Sequence, residues 1–276
     1  MPWQWPVGAV FAFALALSTT PAGVSGAVLL LPFQLSVLHV PSPAVTPTNL
    51  LFNVAATPGG LLRFWHEHRL AAPLTGVLLA GTLPGVIIGA VLRVEVLSGS
   101  RAFTLIAAGV LLPLGLWLLA GARTLPPRRP LPSPHTRRMI WLLALVVGTV
   151  GGIYGIGGGS LLAPVLLAVG YSAYEVAPAT LTATFITSAA GIATYQLLQE
   201  HHHGAIAPKW ILGSCLGAGG FLGSYCGARL QRRLPETSLR RLLGLIACLV
   251  ALRYLQTALE QTRTTSTRSV AVAATR

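Results

Sequence analysis

Three stretches of about 20 residues without a charged side chain limit what this chain can fold into. They run over Leu70–Leu92, Ala102–Ala122 and Trp210–Ala228. A helix of roughly 20 apolar residues is long enough to cross a hydrocarbon core about 30 Å thick. Charged residues make up only 9% of the chain, against about 25% in an ordinary soluble domain. The fold class expected is therefore an all-α polytopic membrane protein.

A glycine-rich interruption occurs twice in the chain. Residues 155–164 read GIGGGSLLAP, and residues 23–32, which lie 132 positions earlier, read GVSGAVLLLP. Five of the ten positions are identical, and a match at one fixed offset is the signature of an internal repeat. We expect two homologous repeats of four to five membrane helical elements each, with glycine-broken helices at the centre and the two repeats inverted.

The chain divides accordingly into four segments. The first transmembrane repeat is expected over residues 1–122 and the second over residues 139–260. Residues 123–138 carry five prolines and five arginines, a composition that neither buries itself nor forms a regular helix, so a linker is expected there. Residues 261–276 are rich in Thr, Ser and Arg, which is typical of a disordered tail.

Five helices are expected in each half. Those of the first half are Trp5–Ser18, Val24–Leu38, Thr48–Leu62, Leu70–Leu92 and Ala102–Leu119. Those of the second half are Met139–Val150, Leu161–Val169, Pro178–Leu198, Trp210–Arg229 and Leu239–Leu259.

Glycine spacing in two of these helices predicts how they pack. The series Gly81, Gly85 and Gly89 is answered by Gly219, Gly223 and Gly227. A spacing of four residues aligns three glycines on one helix face and lets another helix approach closely. Helix packing, rather than contact with a ligand, is the role expected for both series.

The net charge of +13 indicates membrane topology and not a nucleic-acid partner. Of the 19 basic residues, 18 are arginines and most stand at the ends of apolar runs, as the positive-inside rule predicts. If each glycine break is a hairpin that crosses twice, 12 arginines share one end of the molecule, against Arg93, Arg101 and Lys209 at the other. If each break instead crosses the membrane only once, the same basic residues divide eight to seven between the two ends of the molecule. The rule favours hairpins, inverted halves and both termini outside.

The glycine breaks also predict a binding site. Non-helical backbone survives inside a bilayer only where protein or a water-filled cavity satisfies its N–H and C=O groups. Helices that start at Gly26 and Gly158 would direct free N–H groups and positive dipole ends into such a cavity, which suits an anion. The alternative is a kink that only lets neighbouring helices pack.

Polar side chains follow each break in the next helix. Asn49 and Thr180 fall at matching positions when Pro47 is aligned with Pro178. Small hydroxyls and amides donate hydrogen bonds to oxyanions, although they also bond to their own helix backbone. The candidate substrate-binding residues are Gly23, Ser25, Gly26, Asn49, Asn53, Gly157, Gly158, Gly159, Ser160, Thr180 and Thr184.

Several kinds of chemistry are disfavoured. The chain contains no Asp, and its six glutamates fall at loops or helix ends, whereas a cation pathway normally needs carboxylates inside the membrane. The run His201–His203 is expected to be a solvated loop rather than a metal site. We find no catalytic motif of a zinc protease or an α/β-hydrolase, so neither an enzyme nor a cofactor, metal or disulfide is expected. A membrane-embedded enzyme or assembly factor without transport activity is the alternative.

The residues around the two breaks resemble a known family. Each glycine-rich segment precedes a helix that bears Thr or Asn, AVTPTNLLFN in the first half and EVAPATLTATFITSAAG in the second. In these features the chain resembles the sulfite exporter TauE/SafE family, also called the 4-toluene sulfonate uptake permease family, from about Ala9 to Leu259. The first copy departs from the family pattern at Ser25 and Ala27, where glycine is frequent.

The resemblance implies a multi-pass permease of the bacterial inner membrane. Its substrate would be sulfite, an organosulfonate or a related sulfur-containing anion, with export the expected direction and the duplicated motif at the transport site. The partners expected are this small anion and the lipid bilayer, with no nucleic acid and with a homo-oligomer left open.

Overall fold

In the computed structural model every regular element that is described is helical. The structure describes residues 4–41, 44–70, 73–96, 134–168, 170–200 and 206–235, with isolated positions between 105 and 120 and between 237 and 256. Its helices are α1 (Gln4–Thr19), α2 (Ala27–Ser36), α3 (Val45–His66), α4 (Pro73–Glu95), α5 (Pro134–Tyr154), α6 (Gly158–Ala168), α7 (Ala173–Gln199) and α8 (Trp210–Leu230). Short 3-10 turns, Thr20–Ala22 and Gln231–Arg233, follow α1 and α8. The expected helices after residues 102 and 239, the linker up to residue 133, the His201–His203 loop and the tail lie wholly or mostly outside the described residues.

Five of the described helical segments are long and apolar enough to cross a membrane. They are Gln4–Ala22, Leu74–Glu95, Thr136–Tyr154, Ala173–Gln199 and Trp210–Arg233. In contrast, α2 has 10 residues and α6 has 11, so each is about 15 Å long, half of a hydrocarbon core. The chain is thus an all-α, multi-pass membrane protein with a half-length helix after each glycine break.

The first glycine break is a hairpin. The rings of Phe11 on α1 and Phe33 on α2 stack with centroids 4.1 Å apart. Gly26 at the start of α2 lies against Leu15, whereas Leu38 just beyond its end reaches Gly8. Helices α1 and α2 are therefore antiparallel, and α2 returns toward the end of the bundle at which α1 begins.

Both glycine series lie at close helix contacts. On α8, Gly219, Gly223 and Gly227 lie against the backbone carbonyls of Ala9, Phe13 and Leu17 on α1. On α4, Gly81, Gly85 and Gly89 lie against those of Trp141, Leu145 and Thr149 on α5. The partners on α5 are 132 residues beyond the partners on α1, the offset that relates the two breaks. Each pair is parallel and joins a helix of the first half to one of the second.

The remaining contacts fix the other helix directions. Gly59 and Gly217 bring α3 alongside α8 in parallel, because they face Phe221 and Ala55. Helix α7 is antiparallel to α3, since Gly191 on α7 faces Leu50 whereas Gly60 on α3 faces Leu181. Helices α1, α3 and α8 therefore point one way. Corresponding helices of an inverted repeat would run in opposite directions, as α3 and α7 do, and the homology of the halves stays a prediction.

The two ends of the bundle differ in charge. The ends of α3 and α8 meet the start of α7, where Gln231 bonds to Ala173. At the opposite end a cluster of Leu50, Ala90, Tyr195 and Ile206 joins the start of α3 to the ends of α4 and α7. Of the arginine and lysine residues described between residues 4 and 235, seven belong to the first end, Arg63, Arg69, Arg137, Arg138, Arg229, Arg232 and Arg233, and two to the second, Arg93 and Lys209.

The positive-inside rule predicts that the end bearing Arg63 and Arg69 faces the cytoplasm. With five elements in each half, both termini then lie outside. We expect a reporter that works only in the cytoplasm to be active when fused after Arg69 and inactive when fused to the C-terminus. A reporter that works only outside should give the converse pattern. Cytoplasmic activity of the C-terminal fusion would contradict this topology.

Five helices begin earlier than the sequence indicated, among them α1 at Gln4 rather than Trp5 and α6 at Gly158 rather than Leu161. Helix α3 starts at Val45 rather than Thr48, and α5 starts at Pro134, inside the expected linker, because proline suits the first position of a helix. Helix α7 starts at Ala173 rather than Pro178, since the Ser172 hydroxyl accepts a hydrogen bond from the Tyr174 N–H. Pro178 has no N–H for the Tyr174 carbonyl. The guanidinium of Arg69 donates to that carbonyl instead.

Candidate functional site

The first glycine break packs against α7 of the second half, and the second glycine break packs against α3 of the first half. Gly23 in the first break has φ +79°, and a Cβ there would lie 2.6 Å from Thr180 Oγ1 and 2.7 Å from Ala177 Cα on α7. Gly155 in the second break has φ +67° and lies against the carbonyl of Thr46 on α3. A left-handed backbone conformation and close backbone contact both require glycine at these positions.

A chain of hydroxyl groups joins the first break to the second. The N–H of Ser25 donates to Ser160 Oγ over 3.2 Å, and Ser160 Oγ donates to Ser25 Oγ over 2.8 Å. Ser160 Oγ also lies 3.0 Å from Thr184 Oγ1 on α7. Ser25 is 3% exposed, while Ser160 and Thr184 are fully buried. Residues far apart in sequence thus form one enclosed polar cluster between the breaks.

Two asparagines of α3 bind backbone carbonyls next to the breaks. Asn49 Nδ2 donates to the Ala27 carbonyl over 3.0 Å, and its Oδ1 accepts from Gln34 Nε2 at the same distance. One turn further along, Asn53 Nδ2 donates to the Ile156 carbonyl over 2.8 Å. Asn49 therefore holds the first turn of α2, whereas Asn53 holds the second break.

The threonine hydroxyls of α7 bond to their own helix. Thr180 Oγ1 lies 2.8 Å from the carbonyls of both Val176 and Gly23, and Thr184 Oγ1 donates to the Thr180 carbonyl over 2.8 Å. A hydroxyl carries a single proton, so in this arrangement both protons serve protein carbonyls. Thr180 positions the first break, Thr184 lies in contact with Ser160, and direct contact of either with a substrate stays a prediction.

The three consecutive glycines of the second break face different neighbours. Gly157 has φ +75°, and a Cβ there would lie 2.7 Å from Ser188 Oγ. Gly159 lies against the carbonyl of Thr180. Gly158 faces away from these groups, because a Cβ there would meet Thr82 of α4 at 2.7 Å. Of the three, Gly157 and Gly159 therefore allow the first turn of α6 to reach α7, and Gly158 allows α4 to approach.

The start of α6 and the start of α2 supply backbone donors that have no acceptor within their own helices. The first N–H groups of any helix have no carbonyl of their own helix to bond to. They also carry the positive end of the helix dipole, which favours an anion. On α6 these donors belong to Gly158, Gly159 and Ser160, and on α2 the first groups belong to Gly26 and Ala27.

A buried ionic network that the sequence analysis missed lies beside the first break. Glu67 is in ion pairs with Arg63, Arg69 and Arg232, with N–O distances of 2.9, 3.1 and 3.2 Å. Arg69 Nη1 also donates to Gln231 Oε1 over 2.9 Å. Burial lowers the pKa of the Arg69 guanidinium, and the hydrogen bond to Glu67 works against that shift.

Through Gln231 this network reaches the break itself. Gln231 Nε2 donates to the Pro21 carbonyl over 2.6 Å and to the Ala173 carbonyl over 3.0 Å. The network therefore fastens the first break to the ends of α3 and α8 and to the start of α7. The sequence contained one signal, a glutamate between arginines and histidines in residues 63–69, but nothing linked it to Gln231.

A buried arginine lies at the other end of the site. The sequence placed Arg93 in a short loop, but it belongs to the last turn of α4 and is fully buried. Tyr195 and Tyr154 lie close to its guanidinium. The hydroxyl of Tyr195 donates to the Gly152 carbonyl over 3.2 Å. A positive charge is thus buried next to the second break.

Three buried polar atoms of the site have no hydrogen-bond partner among the described residues. They are Asn53 Oδ1, Ser188 Oγ and Gln34 Oε1. Nearly all buried polar groups in folded proteins are paired, so these three atoms have hydrogen-bonding capacity that the described residues leave unused. No group of three or more His, Cys, Asp or Glu residues suited to a metal occurs in the described parts of the chain.

Comparison with known proteins points to transport. A sequence model of the family described as "Sulfite exporter TauE/SafE" matches residues 8–254. The "Probable membrane transporter protein" of Xylella fastidiosa (strain Temecula1 / ATCC 700964) is 27% identical over 263 residues, which cover 89% of this chain and 91% of that protein. The "Probable membrane transporter protein YunE" of Bacillus subtilis (strain 168) is 28% identical over 109 residues, 39% of this chain and 37% of that protein. No solved structure shows a significant match.

Proposed function

Because the chain belongs to the sulfite exporter TauE/SafE family, we propose that it is a permease of the bacterial inner membrane that exports sulfite, an organosulfonate or a related sulfur-containing anion. Membership of this family makes the chain a membrane transporter. The name of its relative from Xylella fastidiosa and the five long apolar helices of this chain agree with that assignment. The observation that carries the choice of an anion is the buried meeting of the two breaks, where Ser25, Ser160 and the first turn of α6 converge.

The site would hold an anion without a formal positive charge in contact with it. The first N–H groups of α6 and α2 give a positive electrostatic potential between the breaks. Ser25 Oγ accepts from Ser160 and so keeps its own proton for an anionic oxygen. Hydrogen bonds to a charged acceptor are each worth about 1.5–3 kcal/mol, so a few such donors suffice for binding that is still reversible.

To expose this site to one side of the membrane and then to the other, two glycine-packed helix pairs would move relative to each other. One pair is α1 with α8 and the other is α4 with α5. Transporters with paired broken helices commonly move one group of helices against another around a central site. Because close glycine contacts resist separation, each pair would move as a body, while α3 and α7 between them carry Asn53 and Thr184.

Membrane potential would drive export by this protein. A potential of about 100 mV, negative inside, favours outward movement of each negative charge by about 2.3 kcal/mol, equal to roughly a 50-fold concentration ratio. All six glutamates fall at loops or helix ends in the sequence, so none is placed to relay a proton through the middle of the membrane.

Proteoliposomes loaded with radiolabelled sulfite test both the function and the driving force. A potassium–valinomycin potential, negative inside, should accelerate efflux at equal pH on the two sides. Protein-free liposomes, and vesicles held at zero potential, are the controls. Efflux that responds only to an imposed pH gradient would reject the driving force, and absence of transport of both sulfite and sulfonates would reject the function.

A further inference from the structure

Ser188 differs from every other hydroxyl described on α7. Thr180, Thr182, Thr184, Thr187 and Thr194 each have the carbonyl four residues earlier within 2.6–2.9 Å. Ser188 Oγ has no partner among the described residues although the residue is fully buried. It faces Gly157, where a Cβ would lie only 2.7 Å away. Its proton is therefore available to a molecule bound at the second break.

Asn53 presents an unpaired acceptor, among the described residues, beside Ile156, the residue before Gly157. Its Nδ2 donates to the Ile156 carbonyl, and this bond fixes the amide, because the reversed orientation would place two acceptors against each other. Its Oδ1 is left without a partner in the described residues, in a side chain that is fully buried. Asn53 and Ser188 thus lie against consecutive residues of the second break, Ile156 and Gly157.

An unpaired donor and an unpaired acceptor select a particular kind of anion. A carboxamide oxygen cannot donate a hydrogen bond, so it repels the bare oxygens of a fully deprotonated oxyanion. It accepts readily from an O–H group. Ser188, the first turn of α6 and Ser25 supply donors for the charged oxygens of the same molecule.

We propose that the substrate is bound and carried as a protonated, singly charged oxyanion, whose O–H group donates to Asn53 Oδ1 while a charged oxygen accepts from Ser188 Oγ. This inference rests on the proposed function and narrows its substrate class to hydrogen-bearing monoanions, for which hydrogensulfite is the simplest example. Each turnover then moves one negative charge, and the transport affinity for total sulfite falls as the pH rises through the interconversion of hydrogensulfite and sulfite.

Titration of the protein does not produce the same pH dependence at this site. Among the described residues, the charged or titratable side chains around the second break are Arg93, Tyr154 and Tyr195, with Tyr254 beside Tyr154, and none of these residue types ordinarily changes charge near neutral pH. On α3 and directly after it, the charged or titratable groups are Arg63, His66 and Glu67. The start of α7 adds Tyr174 and Glu175, and α8 adds Cys215, Tyr225, Cys226 and Arg229. Those of α3 and the start of α7 lie at the far ends of these helices. His39, which follows α2, is exposed to its surroundings.

Methanesulfonate provides the matched probe, because it is a permanent monoanion without an O–H group. In proteoliposomes that contain the full chain, sulfite should reach half-maximal transport at a concentration that rises tenfold per pH unit above the interconversion. The value for methanesulfonate should stay constant, which also controls for titration of the protein. At low pH, sulfite should bind at least tenfold more tightly than methanesulfonate, since the latter leaves Asn53 Oδ1 unpaired.

The variant Asn53→Leu separates this role from a purely structural one. Because the change also removes the bond to the Ile156 carbonyl, transport of both anions should weaken, but hydrogensulfite should lose at least tenfold more affinity than methanesulfonate, and the pH dependence of affinity should disappear. Thr187→Val, which removes a buried hydroxyl that bonds only to its own helix, should change neither anion. Equal loss for both anions in Asn53→Leu, or a sulfite affinity that does not fall with pH, would overturn the proposal. If methanesulfonate is transported in that case, the proposed function still stands, whereas transport of neither anion by the unmodified protein rejects both.

Discussion

Replacing Gly85 by leucine is expected to prevent α4 and α5 from packing, and with it to abolish transport. A Cβ at this position would lie against the Leu145 carbonyl and 2.8 Å from the backbone nitrogen of Thr149. Backbone atoms of a helix cannot move aside as a flexible side chain can, so the two helices have to separate. Overpacking a close contact costs about 1–3 kcal/mol and sometimes more, and a leucine against backbone belongs at the upper end.

The same helix offers a matched control. A Cβ at Gly76 of α4 meets no atom within 4 Å, so Gly76→Leu should keep the thermal unfolding midpoint in detergent and the transport rate. Gly223→Leu should fail as Gly85→Leu does, because Gly223 lies against the Phe13 carbonyl in the pair α1–α8. If Gly85→Leu has normal stability and transports normally, α4 and α5 are not in close contact at Gly85.

Replacing Glu67 by glutamine is expected to destabilise the protein by about 3–5 kcal/mol, the usual loss when one partner of a buried ion pair is removed. The Glu67 side chain is 3% exposed and the Arg69 side chain 5%, so neither charge is compensated by water. Without Glu67, three arginines would face one another. Burial already lowers the pKa of Arg69, and the hydrogen bond that Arg69 donates to Glu67, which opposes this shift, would lose its charged acceptor.

Glu175→Gln is the control for this change. Glu175 lies in the first turn of α7 and is partly exposed, where a carboxylate contributes only about 0.3–1 kcal/mol through the helix dipole. Denaturant-induced unfolding in detergent measures both variants. Glu67→Gln should also slow transport, since Gln231 connects the network to the Pro21 carbonyl. Equal stability of the two variants would mean that the ion pairs are not maintained in the membrane.

Periodic features of the sequence predicted much of the fold. Long apolar runs gave the membrane helices, and the spacing of four between Gly81, Gly85 and Gly89 identified the face of α4 that meets another helix. Both are local properties of one helix, so they can be read without knowing its neighbours. The glycine breaks were recognisable for the same reason, because a cluster such as Gly157–Gly159 is incompatible with an uninterrupted membrane helix.

Pairing between distant residues could not be predicted in this way. Nothing in the sequence joins Glu67 to Arg232, or Ser25 to Ser160, because these contacts depend on which helices become neighbours. The polar series on α7 illustrates the limit. Thr180, Thr184 and Ser188 look equivalent in sequence, yet of these three only the Ser188 hydroxyl, which faces Gly157, has no hydrogen-bond partner among the residues that the structure describes.

The pairing of α1 with α8 also has a consequence for the synthesis of the protein. Helix α1 is complete at Thr19, whereas α8 ends at Leu230, so the first helix waits for roughly 210 residues before its partner exists. At about 5–20 residues per second, translation of that interval takes roughly 10–40 s. Over this time the face of α1 that will meet Gly219, Gly223 and Gly227 lies against lipid or a provisional neighbour. The pair α4–α5, by contrast, is complete within about 60 residues of Glu95. Of the two glycine-packed pairs, α4–α5 can therefore form first and α1–α8 last.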